Sequence, residues 1–200
     1  MSFDVSGGYS YMLAPLSDSI PPIFKTYMQE LKSGYHISTT FTYYFNEMIN
    51  LGFTYSRYSA TNYFGSIYAI YPDSTRRDGI MEHKILIQYF GPILSTRFMS
   101  RDKNTEFNMS VAMGYTKYYA DVTIIDNFKL RGSTIGSQFG LSLYRMLAPK
   151  LYVGVQAKIV LATLFEEEKS EAGRVQTIDL TKTPEGLSRV DLGVGFKFYL

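Results

Sequence analysis

The sequence predicts an all-β chain: eight antiparallel strands closed into an up-and-down transmembrane barrel, with short turns at one end, long loops at the other and one short helix in the first loop. Three observations predict it. Segments of about ten residues alternate between apolar and polar side chains along the whole length, as they must when one face of each strand meets lipid and the other a polar lumen. The connections between these segments alternate between short and long. Aromatic residues reach 16% as 18 Tyr and 14 Phe with no Trp, which suits a surface that is apolar in its middle and wet at its edges.

Composition narrows the classes further. Two hundred residues make one barrel domain, 1–200, because a split would leave halves near the lower limit for an independent core. Lys plus Arg number 20 and Asp plus Glu 18, so a net charge of +2 gives no reason to expect nucleic acid as a partner. With no cysteine, disulfides, thiolate metal sites and a cysteine nucleophile are excluded. No run approaches the roughly 18 consecutive apolar residues of a membrane helix. Met1-Ser2-Phe3 opens directly in a patterned segment, so the barrel reading expects a precursor whose export signal has been removed.

In the first segment Phe3, Val5, Tyr9, Tyr11 and Leu13 oppose Asp4, Ser6, Gly8 and Ser10. The second sets Tyr35, Ile37, Phe41, Tyr43 and Phe45 against His36, Ser38, Thr40, Thr42 and Tyr44, and the third sets Leu51, Phe53 and Tyr55 against Gly52, Thr54 and Ser56. The fourth, 84–98, begins with Ile85, Ile87 and Tyr89 on the outward face and ends with Leu94, Thr96 and Phe98 there. That change of parity predicts a β-bulge at Gly91-Pro92. The fifth runs 105–115 with Phe107, Met109, Val111, Met113 and Tyr115 outward. The sixth turns Phe139, Leu141 and Leu143 out and Gln138 and Tyr144 in. The seventh turns Leu151, Val153, Val155, Ala157, Ile159 and Leu161 out, with Gln156 and Lys158 in. The last, 190–200, opposes Val190, Leu192, Val194, Phe196, Phe198 and Leu200 to Arg189, Asp191, Lys197 and Tyr199.

Alternation leaves a lipocalin-like barrel with an apolar cavity open as well. The connections 46–50, 99–104 and 146–150 are short, while 14–34, 59–83, 118–131 and 164–188 are long, the asymmetry of barrels with tight periplasmic turns and extended external loops. Arg, Lys, Asp, Glu and Gln on the inner faces also favour a closed polar lumen. In the first long loop Ile23, Phe24, Tyr27, Met28 and Leu31 recur at helical spacing after Pro21-Pro22, predicting an extracellular helix of about ten residues.

On its last strand the chain resembles the small outer-membrane β-barrel proteins of the OmpA/OmpX-like superfamily, especially the short Bacteroidota type. Gly195, Phe198 and Leu200 match the glycine and final hydrophobic positions of that family's C-terminal signal, with Gly193 standing where a polar residue is expected. Gly7-Gly8-Tyr9-Ser10-Tyr11 and Tyr89-Phe90-Gly91-Pro92 are also similar to family sequences. The resemblance implies residence in a bacterial outer membrane, contact with its lipid and lipopolysaccharide, and recognition by the barrel assembly machinery during biogenesis.

Candidate sites follow from the inward faces. An eight-stranded barrel is narrow enough for side chains to fill, and charges confined there need partners. Asp4, Arg97, Glu106, Gln138, Gln156, Lys158, Arg189, Asp191 and Lys197 form the predicted lumen network. Within it Lys158, Asp191 and Arg189 share a depth, Asp4 lies near Lys197, and Arg97 and Glu106 flank one turn. His36 and Ser38 repeat the His-x-Ser spacing of outer-membrane lipid A deacylases, but their parity turns them into the lumen and a hydrogen-bonded lumen histidine is the favoured reading. They and His83 make no recognisable metal site, and no cofactor is expected. Phe24, Tyr27, Met28, Tyr63, Phe64 and Tyr68 are the loop interaction candidates. Tyr58, Ile70 and Tyr71 extend that set of aromatic and apolar residues, unless these residues belong to strands that continue beyond the membrane. Glu166-Glu167-Glu168 reads as a solvated loop tip or a site for divalent cations bridging lipopolysaccharide. Three functions follow: a non-enzymatic surface, scaffold or envelope-complex component acting through its external loops, which is favoured; a narrow solute conduit; and a lipid A-modifying enzyme.

Overall fold

The computed structural model describes residues 1–15, 21–46, 48–70 and 75–200. Among these residues eleven strands and one helix follow one another as β1 (Ser2–Met12), α1 (Pro22–Glu30), β2 (Ser33–Tyr44), β3 (Ile49–Ile70), β4 (Arg76–Met99), β5 (Thr105–Ile124), β6 (Asp126–Ala148), β7 (Leu151–Leu164), β8 (Glu166–Glu171), β9 (Arg174–Asp179), β10 (Glu185–Gly186) and β11 (Arg189–Tyr199). Eight of them close a ring in the order β1-β2-β3-β4-β5-β6-β7-β11, every pair antiparallel, with β11 returning to β1. The remaining three extend the walls above the ring.

The register fixes the barrel's geometry. Starting at Ser2 and stepping across paired residues leads through Thr42, Gly52, Ile93, Ala112, Gln138, Val160 and Arg189, and arrives back on β1 at Met12. This offset of ten residues, at about 3.3 Å each, over eight strand spacings of about 4.8 Å tilts the strands by about 40°. Close approach of neighbouring backbones depends on glycine at several points, and at one of them two glycines face each other across β4 and β5. A Cβ on Gly91 would lie 2.5 Å from the Met113 carbonyl oxygen, and one on Gly114 would lie 2.3 Å from that of Phe90.

The alternation read from the sequence holds on seven of the eight ring strands, but on β4 it is reversed in the upper half. Ile87 and Tyr89 are fully buried inside the barrel, with Ile85 packed beside them, and the pairings with β3 and β5 keep one register through Gly91-Pro92. There is no bulge there. The apparent change of parity arises because the upper lumen is apolar, so hydrophobic side chains occupy the inward positions of that half-strand. A bulge does occur on β3, at Gly65 between Phe64 and Ser66.

Three predicted long loops are also corrected. Most of 59–83 and 118–131 continues as paired strand, so that the β3–β4 and β5–β6 hairpins rise well above the membrane-spanning segments. Within 164–188, β8 and β9 form a hairpin whose turn uses positive φ at Ala172 and Gly173. The acidic run therefore lies in a strand rather than at a tip. Pairing of β6 with β7 stops at Gly136 and Ala162, and β8 takes over beside Gly132. Leu164, fully buried, fills the space beside Gly132.

Helix α1 begins with Pro22 in its first turn, where the missing N–H costs nothing. Tyr27 and Leu31 are buried with Met81, and Phe24, Met28 and Phe64 close around them. The helix thereby packs inside the β3–β4 hairpin and roofs the mouth. The side chains of Ile23 and Ile70, and the whole of Tyr71, lie outside the described residues.

Candidate functional site

Three tiers of inward-facing side chains occupy the barrel, and strand register sets which residues meet in each. At the turn end, Glu106 on β5 takes the Lys197 ammonium of β11 at 2.5 Å and the Asn108 amide at 2.8 Å, and it also accepts from the Tyr199 hydroxyl. Arg97 of β4 donates to Tyr199 at 3.2 Å and stacks over Tyr44 with its guanidinium 4.4 Å from the ring centre. Arg97 thus reaches Glu106 through Tyr199 rather than directly. Asp4 pairs in register with Lys197 but bonds elsewhere, to the Tyr144 hydroxyl and to Gln156 Nε2 at 2.8 Å. Ser6 donates to the other end of Gln156 at 3.1 Å.

The middle tier contains a second buried ion pair. Arg189 reaches Asp191 at 3.1 Å with both side chains fully buried, and donates to Ser56 at 2.8 Å. Ser10 donates to the same carboxylate. Lys158, opposite Asp191 in the β7–β11 pair, donates to Ser38 at 2.6 Å. Among the described residues neither end of the buried Gln138 amide has a hydrogen-bond partner. Ser38 is therefore held by a lysine and not by His36, and both residues face the closed lumen instead of lipid. A void of about 50 Å³ beside Asp4, Ser110 and Ser142 has room for little more than water.

Above these tiers the lumen becomes apolar. Met12, Tyr58, Ala60, Ile87, Tyr118, Ala162 and Leu164 form one buried collar across it. The sequence reading of a polar lumen holds only for the lower part. The serines and tyrosines that complete the network, Ser10, Ser38, Ser56, Tyr144 and Tyr199, are legible in the sequence as inward-facing residues, but their partners depend on the ten-residue stagger.

The mouth above the collar is built by α1 and the hairpins. Tyr27 points its hydroxyl to His83 Nδ1 at 2.8 Å and to the Asn62 carbonyl at 3.1 Å, while the Asn62 amide donates to the Tyr27 carbonyl and to Glu30, both at 2.9 Å. Burial pushes the Tyr27 hydroxyl up to about 12 and lowers the His83 imidazole below its ordinary value. Four of the six loop candidates, Phe24, Tyr27, Met28 and Phe64, are thus spent on packing. Tyr63 and Tyr68 remain exposed, the latter under the Arg76 guanidinium, 4.5 Å from its ring centre.

The outer surface is the converse of the lumen. Phe41, Phe53, Leu94, Met109, Leu141, Val155, Leu192 and Val194 all stand exposed. They form a band that ends toward the loops in Tyr9, Tyr11, Tyr35, Tyr55 and Tyr115, with Arg57 and Lys117 just beyond. About ten residues per strand at a tilt of about 40° give this band a height of about 25 Å. A continuous apolar girdle of that height is a lipid-facing surface. In the final strand Gly195 faces inward against Ser6 and Gln156, while Phe198 and Leu200 are exposed.

No protein-family model and no curated sequence matches this chain. Solved structures do. Neisserial surface protein A aligns over 100% of this chain and 96% of its own, with a TM-score of 0.57 at 12% identity. A major outer membrane protein from Thermus thermophilus aligns over 98% of both chains, with a TM-score of 0.59 at 10% identity. Closed ring, stagger, girdle and these alignments agree that the chain has the fold of the small eight-stranded outer-membrane β-barrels.

Proposed function

We propose that this chain is a non-enzymatic component of a bacterial outer membrane that works by binding at its extracellular end. The observation that carries the reading is the sealed lumen: two buried ion pairs and an apolar collar cross it below an elaborate mouth. A path for ions would need several of these contacts to open together, which a close-packed interior resists. Tyr63 and Tyr68 on the outer side of the β3–β4 hairpin are the exposed aromatics that a protein partner or a larger envelope complex would use. Tyr115, Lys117 and Arg131 lie where lipopolysaccharide headgroups would meet the barrel. Gly195, Phe198 and Leu200 supply the strand read during assembly. A hydrolase reading lacks support because His36 and Ser38 are buried away from lipid and Ser38 is bonded to Lys158.

Planar-bilayer recording tests the reading. The reconstituted protein is expected to give no stepwise conductance, and reproducible channels would transfer the function to solute passage.

A further inference from the structure

Beneath α1, and bounded by β5, β6, β8 and β10, the mouth forms a half-open chamber of about 530 Å³, within the range of small-molecule sites. Its walls are mainly apolar, with Tyr118 and Val122 from β5, Phe128 and Leu130 from β6, and Met28 and Leu31 from the helix side. Two carboxylates line the same space, the half-buried Glu167 on β8 and Glu185 on β10, which is open to solvent at the rim. Neither meets a cationic partner among the described residues; the ion pairs there join other side chains.

The other charged and titratable lining groups do not neutralise them. Lys32 is engaged elsewhere, its ammonium 5.2 Å from the ring centre of Tyr11. His83 is bonded to Tyr27 and kept uncharged by burial. Burial raises the pKa of Glu167, as expected where counter-charge is lacking. Among the described residues no third ligand completes a metal-binding set with them. Apolar walls strengthen the attraction of such carboxylates for a positive charge, and Tyr118 offers a ring to one; the Phe128 ring already carries the Lys169 ammonium, 4.4 Å from its centre and paired with Glu171 at 2.8 Å.

We infer that the chamber binds an amphipathic organic cation, an ammonium group on a small aromatic or alkyl body. Glu167 and Glu185 take the charge, and Phe128, Leu130 and Tyr118 take the apolar part. A neutral molecule of the same shape leaves the carboxylates without a counter-ion, and an anion is repelled. This assignment rests on the reading that the protein binds at its extracellular end.

Calorimetry on the full chain in lipid nanodiscs tests it with three probes of one shape: phenethylamine, phenethyl alcohol and phenylacetate. After subtraction of empty nanodiscs, phenethylamine is expected to saturate at one per barrel, with the alcohol at least about ten-fold weaker and phenylacetate weaker again. Glu167→Gln combined with Glu185→Gln should bring the amine down to the alcohol's level, whereas Asp102→Asn, which removes an exposed carboxylate in the β4–β5 turn at the opposite end, leaves it unchanged. Unaltered circular-dichroism melting shows that both variants are folded. Equal binding of amine and alcohol, or an amine affinity unmoved by the double variant, overturns the cation assignment and leaves the extracellular end as a binding surface. No saturable binding of any probe overturns the chamber as a site, and only channel activity removes the underlying reading.

Discussion

Replacing Lys197 by methionine removes one half of a buried ion pair whose other half, Glu106, is fully enclosed. In that variant the Glu106 carboxylate keeps the Asn108 amide and the Tyr199 hydroxyl as donors, so the expected loss is about 3 kcal/mol, the low end for breaking a buried pair. Glu106→Leu is worse. It strands the Lys197 ammonium, which keeps the Tyr144 ring 5.0 Å away but no carboxylate partner among the described residues, and the loss should approach about 5 kcal/mol. Making both changes removes both charges, and the double variant is expected to lose about 2 kcal/mol or less, against about 8 for the sum of the singles. Urea unfolding from phospholipid vesicles, followed by tyrosine fluorescence and electrophoretic mobility, measures all three. Single variants within about 1 kcal/mol of the parent, or a double variant equal to the sum, would refute the claim that this pair is desolvated and coupled.

Other predictions follow from particular contacts. Tyr144→Phe should cost about 2 kcal/mol, since Asp4 then keeps only Gln156; the same unfolding experiment reads it. Gly91→Ala should cost about 1–3 kcal/mol through overpacking against the Met113 carbonyl, visible as a lower urea midpoint with an unchanged slope. His83 has a folded pKa below its unfolded value, so the docking it supports is fully present above the unfolded value of about 6.5 and is lost as pH falls through the depressed folded value. Amide protection factors across 27–31, with exchange referred to its intrinsic rate at each pH, should fall at about pH 5 relative to pH 7.5, and His83→Gln should remove that difference. Equal protection factors at both pH values would show that Tyr27 docks without help from a neutral His83.

Much of the fold is legible because a strand with lipid on one side and lumen on the other writes a period of two into the sequence, as in Phe107, Met109 and Val111 against Glu106, Asn108 and Ser110. The pattern fails where both sides are apolar. Ile85, Ile87 and Tyr89 look like lipid-facing residues but form part of the upper interior, and no local pattern separates a greasy lumen from a membrane. The segments 59–83 and 118–131 read as loops for a related reason. Strands that rise beyond the bilayer lose the lipid-facing half of the pattern, yet keep an inner face when a helix such as α1 covers it. Partners in the lumen are hidden by the stagger: Lys197 stands opposite Asp4 in the ladder, but its ion pair is with Glu106. The chamber carboxylates are visible only as members of a charged stretch, because their meeting in one space depends on β8 replacing β7 beside β6.

The most direct test of a lipid-embedded barrel with a sealed lumen and an outward mouth uses single cysteines, which the parent chain lacks. Whole cells carrying Tyr63→Cys, Gln176→Cys, Arg101→Cys or Thr116→Cys are treated with a polyethylene-glycol maleimide too large for porins and, separately, with a small methanethiosulfonate. Tyr63→Cys and Gln176→Cys should react with the large reagent on intact cells, and Arg101→Cys only after the outer membrane is opened. Thr116→Cys, fully buried in the lumen, should react with neither reagent from either side. Labelling of Thr116→Cys in the folded protein, or of Arg101→Cys by the large reagent on intact cells, would contradict the account.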